Sequence, residues 1–400
     1  MAATKTLQTQ NDPTKQYTYL TETTPHIATI LGFPSRPSTF PALYTRTCTE
    51  IVDLACTIAA FEPVRLHVRP EDVPHAQNLI SKRLPANDTN NATQKANITL
   101  TPAPTNHCWV RDTGPVYVRG VKDPNQRYAI DFQFCEWGNK IKELLYNHSE
   151  DKALAGTEEG DWPTMDSSRQ AENGQFARRV LEIENTKLDS NHVIRVESAI
   201  RLEGGGIEMD GEGTFMAAES SVIVPSRNAG ISREKIETEL SRLLGIKKFI
   251  WIPGREGLDI TDCHIDAEAR FVRPGVVVVC KPHVKCEAVY WDIYREAREV
   301  LDNAVDAQGR KLEVIDIEEP DPDLVKGDVP GEESCPAASY VNYYFVNGGL
   351  VIPAFGDAET DKKAFETLKA LVPEREVRQV SVNALPRTGG VLHCTTQQVL

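Results

Sequence analysis

The chain has 400 residues, 40% of them hydrophobic and 26% charged, which excludes a fibrous protein, a mostly disordered chain and a disulfide-stapled miniprotein. Lys and Arg total 44 against 58 Asp and Glu, a net charge of -14 that disfavours nucleic-acid binding and is compatible with a cationic substrate. Length alone points to two or three domains, and no run approaches the roughly 18 apolar residues of a membrane span.

Nine scattered cysteines argue against a secreted disulfide framework. The polar start, Met1 to Leu20, has neither the apolar core of a signal peptide nor an Arg-rich transit pattern, so a cytoplasmic protein is expected. Residues 1–19 read as a poorly ordered tail.

A helix-then-strand pattern follows. The first predicted helix runs from Tyr44 to Phe61, with Ile51, Leu54, Ala55 and Ile58 on one face, and leads to a strand at Val64 to Val68. Ala86 to Ala96 is polar and reads as a loop, and Glu150 to Gln170 as an insertion. The second helix is Ala171 to Glu184, before the strand His192 to Val196. The third opens at Ser232, carries Glu234 and Glu237 early, ends near Gly245 and leads to Phe249 to Ile252. The fourth is Glu287 to Ala304, then Leu312 to Ile317; the fifth is Glu359 to Leu371, then Val377 to Val382. Each unit is followed by a further strand-like stretch: Trp109 to Val118, Arg201 to Asp210, Asp262 to Val279, Tyr340 to Ile352 and Val391 to Gln398. Repetition of a small α/β unit can close a ring and reduce exposed sheet edges; a single open α/β sheet is the alternative.

Chemistry collects in those stretches. In Trp109-Val110-Arg111-Asp112-Thr113-Gly114-Pro115, Asp112 sits at a bend, where it either caps a turn or faces a site. Glu203 precedes Gly204, Gly205 and Gly206, which permit close backbone approach; the spacing and following helix of a dinucleotide loop are absent. Glu208 to Thr214 reads as a hairpin with Asp-Gly at its turn. Read as a strand, Thr261 to Asp266 puts His264 and Asp266 on one face and Cys263 on the other. Cys394 lies in a short strand after Gly389-Gly390, with His393 pointing away and a poor candidate for its base. Taken singly, each has a plain structural reading. Taken together, each follows one of the units, and a ring brings them to one centre. A thiol, an imidazole and carboxylates make a nucleophile, a base and its orienters. Paired acids beside a thiol suit a planar, cationic guanidinium.

Other readings are weaker. Cys280, His283 and Cys286 have metal-like spacing but offer three ligands where a structural zinc site wants four. A glycosidase would leave Cys394 and His264 unused, and the local signature of a papain-like nucleophile is absent.

The segments WVRDTGP, LEGGGIEMDGEGT, TDCHIDAEARFVRPG, ASYVNYYFVNGGLVIPAFGD and GGVLHCTTQQ resemble, in order, those of the agmatine deiminases and the wider family of Porphyromonas-type peptidyl-arginine deiminases. The resemblance implies a five-bladed α/β propeller of the guanidine-modifying type, one domain over residues 20–400, with the site on the central axis. It implies Cys394 as nucleophile, His264 as general acid/base, Asp112 and Asp266 on the guanidinium, and Glu203 in support. Trp109, Arg111 and Gly205 are expected to shape the pocket. It implies no metal or other cofactor, a small guanidinium substrate (agmatine or an arginine), and a homodimer. An inactive scaffold is the reading from another class. Three places depart from the family: Cys263 stands where it has Gly, FCEWGN stands for FNAWGG, and Ile30-Leu31-Gly32-Phe33-Pro34 lacks a Trp. The last two segments are expected at the substrate's far end.

Overall fold

The computed structural model describes residues 7–85, 89–140, 167–186, 192–325 and 337–400. Among these residues the strands gather into five sheets, and one local plan recurs in each. An antiparallel pair is followed by a helix, and the next strand returns parallel to the second member of the pair. Ala269–Arg273 pairs antiparallel with Val276–Lys281, the helix Ala288–Asn303 crosses over, and Glu313–Glu318 lies parallel to Val276–Lys281. Tyr344–Val346, Gly349–Ala354, the helix Ala358–Leu371 and Glu376–Ser381 repeat the plan. So do Glu208–Met209, Thr214–Ala218, the helix Arg233–Leu244 and Lys248–Ile252. Val116–Gly120, Arg127–Asp131, the helix Phe176–Thr186 and Ile194–Glu197 make another. The remaining unit joins both ends of the sequence. Thr396–Val399 pairs antiparallel with Ala28–Gly32, the helix Pro41–Ala59 follows, and Val64–Val68 returns parallel to Ala28–Gly32.

The local sequence accounts for these elements. Leu43, Thr47, Ile51, Leu54, Ala55 and Ile58 recur at helical spacing and are buried, and Pro41 opens their helix, where its missing N–H costs nothing. Val276–Lys281 is buried almost throughout, as befits a strand covered on both faces. The helix Arg233–Leu244 ends on Gly245, whose φ of 74° suits a residue without Cβ. Asp357 caps Ala358–Leu371 by accepting from Glu359 N and Thr360 N. Ser232 occupies the N-cap of its helix, but its side chain makes no capping bond.

Several expectations are corrected. Residues 89–96 of the expected loop form the helix Thr89–Ala96, tied down by Lys95 on Ser81 and by Asn97 Nδ2 donating to Ala59 O. Residues 150–166 of the expected insertion lie outside the described residues, and Ser167 to Gln170 begin the helix Ser167–Gly174. Residues 1–6 of the expected tail lie outside the described residues, and the rest enters the fold: Thr9–Gln10 pairs with Ile194–Glu197, and Tyr17–Tyr19 with Val116–Gly120. Tyr17 is fully buried, its ring edge-on to Tyr128, so aromatic burial and ladder bonds hold this segment. None of the described helices is long and apolar enough to cross a membrane.

The chemically rich stretches are not strands from their first residue. Val110–Thr113 is one helical turn before Val116–Gly120, and Ile265–Glu268 is another before Ala269–Arg273. Gly204–Gly206 is a 3-10 turn before Glu208–Met209, and His393–Thr395 one before Thr396–Val399. Each of these turns stands just before the leading strand of its antiparallel pair. That shared location is what lets separate units contribute side chains to one place.

Candidate active site

Asp112, Asp266 and Cys394 lie in those turns, Glu203 and His264 stand immediately before two of them, and their side chains converge. Gly205 marks the centre. A Cβ built there would lie 2.8 Å from Asp112 Oδ1, 2.8 Å from His264 Nδ1 and 3.0 Å from Asp266 Oδ2. Only glycine leaves this space, and its N–H donates to Asp112 Oδ1 at 3.1 Å.

His264 lies between two acids. Its Nδ1 is 3.6 Å from Asp112 Oδ1 and its Nε2 is 3.3 Å from Glu203 Oε2. Burial alone would disfavour the imidazolium, but Asp112, Glu203 and Asp266 outweigh it and push the pKa up to about 9. Glu203 is itself fixed: Arg227 Nε donates to both its oxygens, at 3.0 and 2.8 Å. Burial works against the Glu203 carboxylate, yet Arg227 and His264 hold its pKa below the usual value. Arg227 Nη1 also reaches Asp262 Oδ2 at 2.7 Å, and Lys140 pairs with the same carboxylate. This clamp holds a strained approach, because Asp262 and Cys263 have φ of 64° and 65°, a left-handed conformation costly for residues with a Cβ. Cys263, expected as filler, is buried against Ala218 and Ile293.

Asp112 has no comparable cation. Trp137 Nε1 donates to its Oδ2 at 2.9 Å. Burial raises the Asp112 pKa, the Asp266 and Glu203 charges add to the rise, and His264 opposes it. Trp137 belongs to the segment expected at the substrate's far end; it instead touches the acid that meets the guanidinium in the sequence reading. Glu136, Trp137 and Asn139 all have positive φ, and Glu136 is held by Asn173 Nδ2 at 2.6 Å and His107 Nε2 at 3.0 Å.

Cys394 is partly exposed. Its Sγ is 3.3 Å from Asn342 Nδ2 and 3.5 Å from Asp266 Oδ2. Burial, then the Asp266 and Asp112 charges, push its thiol pKa well up. Asn342, just ahead of Tyr344–Val346, also takes the His393 N–H at 2.9 Å on its Oδ1. A Cβ at Gly390 would lie 2.8 Å from Trp109 Cζ3 and 3.1 Å from Cys394 Sγ, so Trp109 is packed beside the thiol.

Behind Asp266 lies a buried ionic network. His393 Nδ1 is 2.7 Å from Asp266 Oδ2 and its Nε2 is 2.5 Å from Glu22 Oε1. Burial opposes the Asp266 carboxylate, but His393, His264 and Arg270 hold its pKa below the usual value. Asp266 Oδ1 is buried with no hydrogen-bond partner among the described residues. Arg111, expected to shape the pocket, serves this network: its Nη2 reaches Glu22 Oε1 at 2.8 Å and its Nη1 reaches Gln398 Oε1 at 2.9 Å. A buried guanidinium needs such a counter-charge. Arg270, fully buried, donates from Nη2 to Glu22 Oε2 at 3.2 Å and from Nε to Glu208 Oε2 at 3.3 Å.

Sequence reasoning missed Glu22, Arg227, Arg270, Asn342 and Trp137 as contributors. The last two and Arg270 lie in segments already singled out; Glu22 and Arg227 carry no local signal. Cys280 and Cys286 face the same carboxylate, Glu319, at 3.4 and 3.3 Å. Among the described residues no three His, Cys, Asp or Glu side chains converge as metal ligands.

A model of the Porphyromonas-type peptidyl-arginine deiminases matches residues 18–399. The chain belongs to this family. It is 32% identical to a deiminase relative from Latilactobacillus sakei over 99% of each chain. It is 30% identical to the agmatine deiminase of Medicago truncatula over 94% of each. Among solved structures, the agmatine deiminase of Enterococcus faecalis superposes with a TM-score of 0.77 at 24% identity, covering 96% of each chain. The architecture is the α/β fold of guanidine-modifying enzymes, and the family makes the protein a hydrolase of C–N bonds.

The close quarters at Gly205 give a direct test. Gly205→Ala should lower deiminase kcat/KM at least about a hundredfold, because its methyl group displaces the carboxylates and imidazole around it. Circular dichroism should show the fold retained. Activity within twofold of the parent would show that these groups do not act as a preorganised set.

Proposed function

We propose that this protein is an agmatine deiminase, converting agmatine and water to N-carbamoylputrescine and ammonia by way of a covalent bond to Cys394. The observation that carries the reading is the meeting of Asp112 and Asp266 at Gly205 beside the Cys394 thiol, with, among the described residues, Asp266 Oδ1 buried and unpartnered and His264 the one cation set against Asp112. A guanidinium supplies the missing positive charge and is planar enough to span two carboxylates. We also read the repeated units and the joined chain ends as a five-bladed α/β propeller, one domain over residues 20–400.

The proposed steps follow from the geometry. Asp112 and Asp266 fix the plane of the substrate guanidinium, which is protonated at any working pH. Its charge offsets theirs, which favours the Cys394 thiolate. Sulfur attacks the central carbon, forming the C–S bond. His264, protonated and steadied by Glu203, gives its proton to the departing nitrogen; the C–N bond breaks and ammonia leaves. An amidino-thioether remains on Cys394. His264 then takes a proton from water, whose oxygen adds to the carbon. The C–S bond breaks, returning thiolate, and the proton left on the ureido oxygen passes to water, so the products are the neutral ureido compound, ammonia and one proton. Asn342, in contact with Sγ and with the His393 N–H, holds the thiol in register with Asp266.

One feature favours agmatine over an arginine substrate. An α-carboxylate calls for a cation at the far end, and Arg111, Arg273 and Arg387 are each engaged elsewhere. Arg111 serves Glu22, Arg273 Nη1 donates to Leu371 O, and Arg387 Nη2 donates to Val325 O.

Cys394→Ser should lose ammonia release by about a thousandfold or more yet bind agmatine in calorimetry. Unchanged ammonia release would remove the nucleophile from the account, and parallel assays with arginine and an arginine peptide should give much lower kcat/KM than agmatine.

The pH dependence has a definite sign. The reactive form pairs a Cys394 thiolate with a His264 that still holds its proton. In the free enzyme the thiol pKa is raised and that of His264 is about 9, so both are protonated at neutral pH. The kcat/KM for agmatine should therefore climb roughly tenfold per unit from pH 6 towards 9 and then level. A flat profile between pH 6 and 8 would mean that the thiol proton passes directly to the leaving nitrogen.

A further inference from the structure

Trp137 reaches the site along an unfavourable backbone path. Its indole Nε1 donates to Asp112 Oδ2 at 2.9 Å, while the Gly205 N–H donates to Oδ1 at 3.1 Å. One neutral donor at each oxygen fixes the plane of this carboxylate and favours its charged form without neutralising it. To bring the indole there, Glu136, Trp137, Gly138 and Asn139 all turn left-handed, with φ of 54°, 49°, 82° and 64°. Three of these four carry a Cβ, which makes the conformation costly, and such a run persists only where its surroundings over-determine it.

Much of that restraint converges on one side chain. Glu136 is buried; its Oε1 takes the Asn173 Nδ2 donor at 2.6 Å, and its Oε2 lies 3.0 Å from His107 Nε2. Asn173 Oδ1 is held in turn by Asn106 Nδ2 at 3.0 Å. The helix Ser167–Gly174 and the stretch leading to Trp109 thus grip the turn from two sides. His107 also stands edge-on to the Trp137 indole, with ring centroids 5.1 Å apart, and Phe134 stands edge-on at 4.9 Å. A Cβ at Gly138 would lie 2.8 Å from Ser226 Cβ, so the turn is closely packed on its next residue as well. The proposed chemistry gives Glu136 no task. Burying a carboxylate is a weak way to stabilise a turn, so its use here points to placement. The segment is also one of those where the sequence departs from its family's pattern.

We propose that Glu136 is a positioning residue for Asp112: it anchors the left-handed turn 136–139 and the His107 ring so that the Trp137 indole N–H is aimed at Oδ2, and the carboxylate meets the guanidinium in one fixed plane. The proposal rests on the role given to Asp112 above. Glu136 acts through Trp137 and touches neither the substrate nor the reacting carbon.

Two readouts separate this role from a general loss of stability. Hydrogen exchange of the Trp137 indole N–H, followed by NMR with isotope-labelled tryptophan and assigned through Trp137→Phe, needs no substrate. Exchange in the buried strand Val276–Lys281, followed by mass, is the control for general loosening. Calorimetry of agmatine with proteins that also carry Cys394→Ser gives the affinity for the guanidinium without turnover. Glu136→Ala should speed indole exchange at least about tenfold and raise Kd about ten- to a hundredfold, the worth of one hydrogen bond to a charged group. Weaker binding with unmoved indole exchange, faster exchange with unmoved binding, or an indole accelerated no more than the control strand would each overturn the proposal. If Glu136→Ala fails to fold by near-ultraviolet circular dichroism, Asn173→Ala decides. It removes one of the two contacts, and the proposal requires both shifts at reduced size; their absence overturns it. An enzyme that neither bound nor turned over agmatine would refute the functional reading alone, and the indole exchange would still decide whether Glu136 sets Trp137 on Asp112.

Discussion

The centre of this protein is governed by the cost of taking carboxylates out of water. Glu22, Asp112, Glu203, Glu208 and Asp266 are all buried. An isolated buried carboxylate costs several kcal/mol, so each must find a cation, find donors or take up a proton. Glu203 is held by Arg227, and Glu22 by Arg111, Arg270 and His393. Asp112 has only neutral donors at hydrogen-bond distance, Trp137 and Gly205, with His264 slightly further away. Asp266 keeps one oxygen buried without a hydrogen-bond partner among the described residues. The shortfall of fixed positive charge is concentrated where the thiol sits, so a guanidinium entering there completes an arrangement that the protein alone leaves unfinished. Burial and the same shortfall hold the Cys394 thiol pKa well up, and in the proposed reaction the guanidinium relieves that.

The fold makes this concentration of charge affordable. Each unit delivers its polar side chains from a single turn ahead of a buried strand, so the backbone around them is fixed by the ladder behind. Pairing of Thr396–Val399 with Ala28–Gly32 brings the last turn, with Cys394, into the same frame as the rest. The clamp of Arg227 on Asp262 and Glu203 then reaches across units and holds the left-handed approach to His264.

The helices and the strands after them were legible in the sequence because apolar periodicity survives tertiary packing. Cys394, His264, Asp112, Asp266 and Glu203 were legible because they sit in dense, distinctive motifs. The turns that carry them were not: one helical turn is too short to show a period, so Ile265–Glu268 and Val110–Thr113 read as strand. Arg111 was assigned to the pocket by the family resemblance, whereas its direction is set by Glu22, distant in sequence. Glu22 and Arg227 escaped notice for the same reason, since a long-range ion pair leaves no local pattern. Thr89–Ala96 escaped because its helix is polar all round and is held by contacts at its edges.

The most direct test of the account is the mass of the enzyme during turnover. Rapid acid quenching of the protein with agmatine should yield a population heavier by agmatine less ammonia, with the addition mapped to Cys394 by peptide analysis and absent from Cys394→Ser. Ammonia release at the full rate with no such addition at any quench time, under conditions where the His264→Asn variant also fails to accumulate it, would contradict covalent catalysis by Cys394.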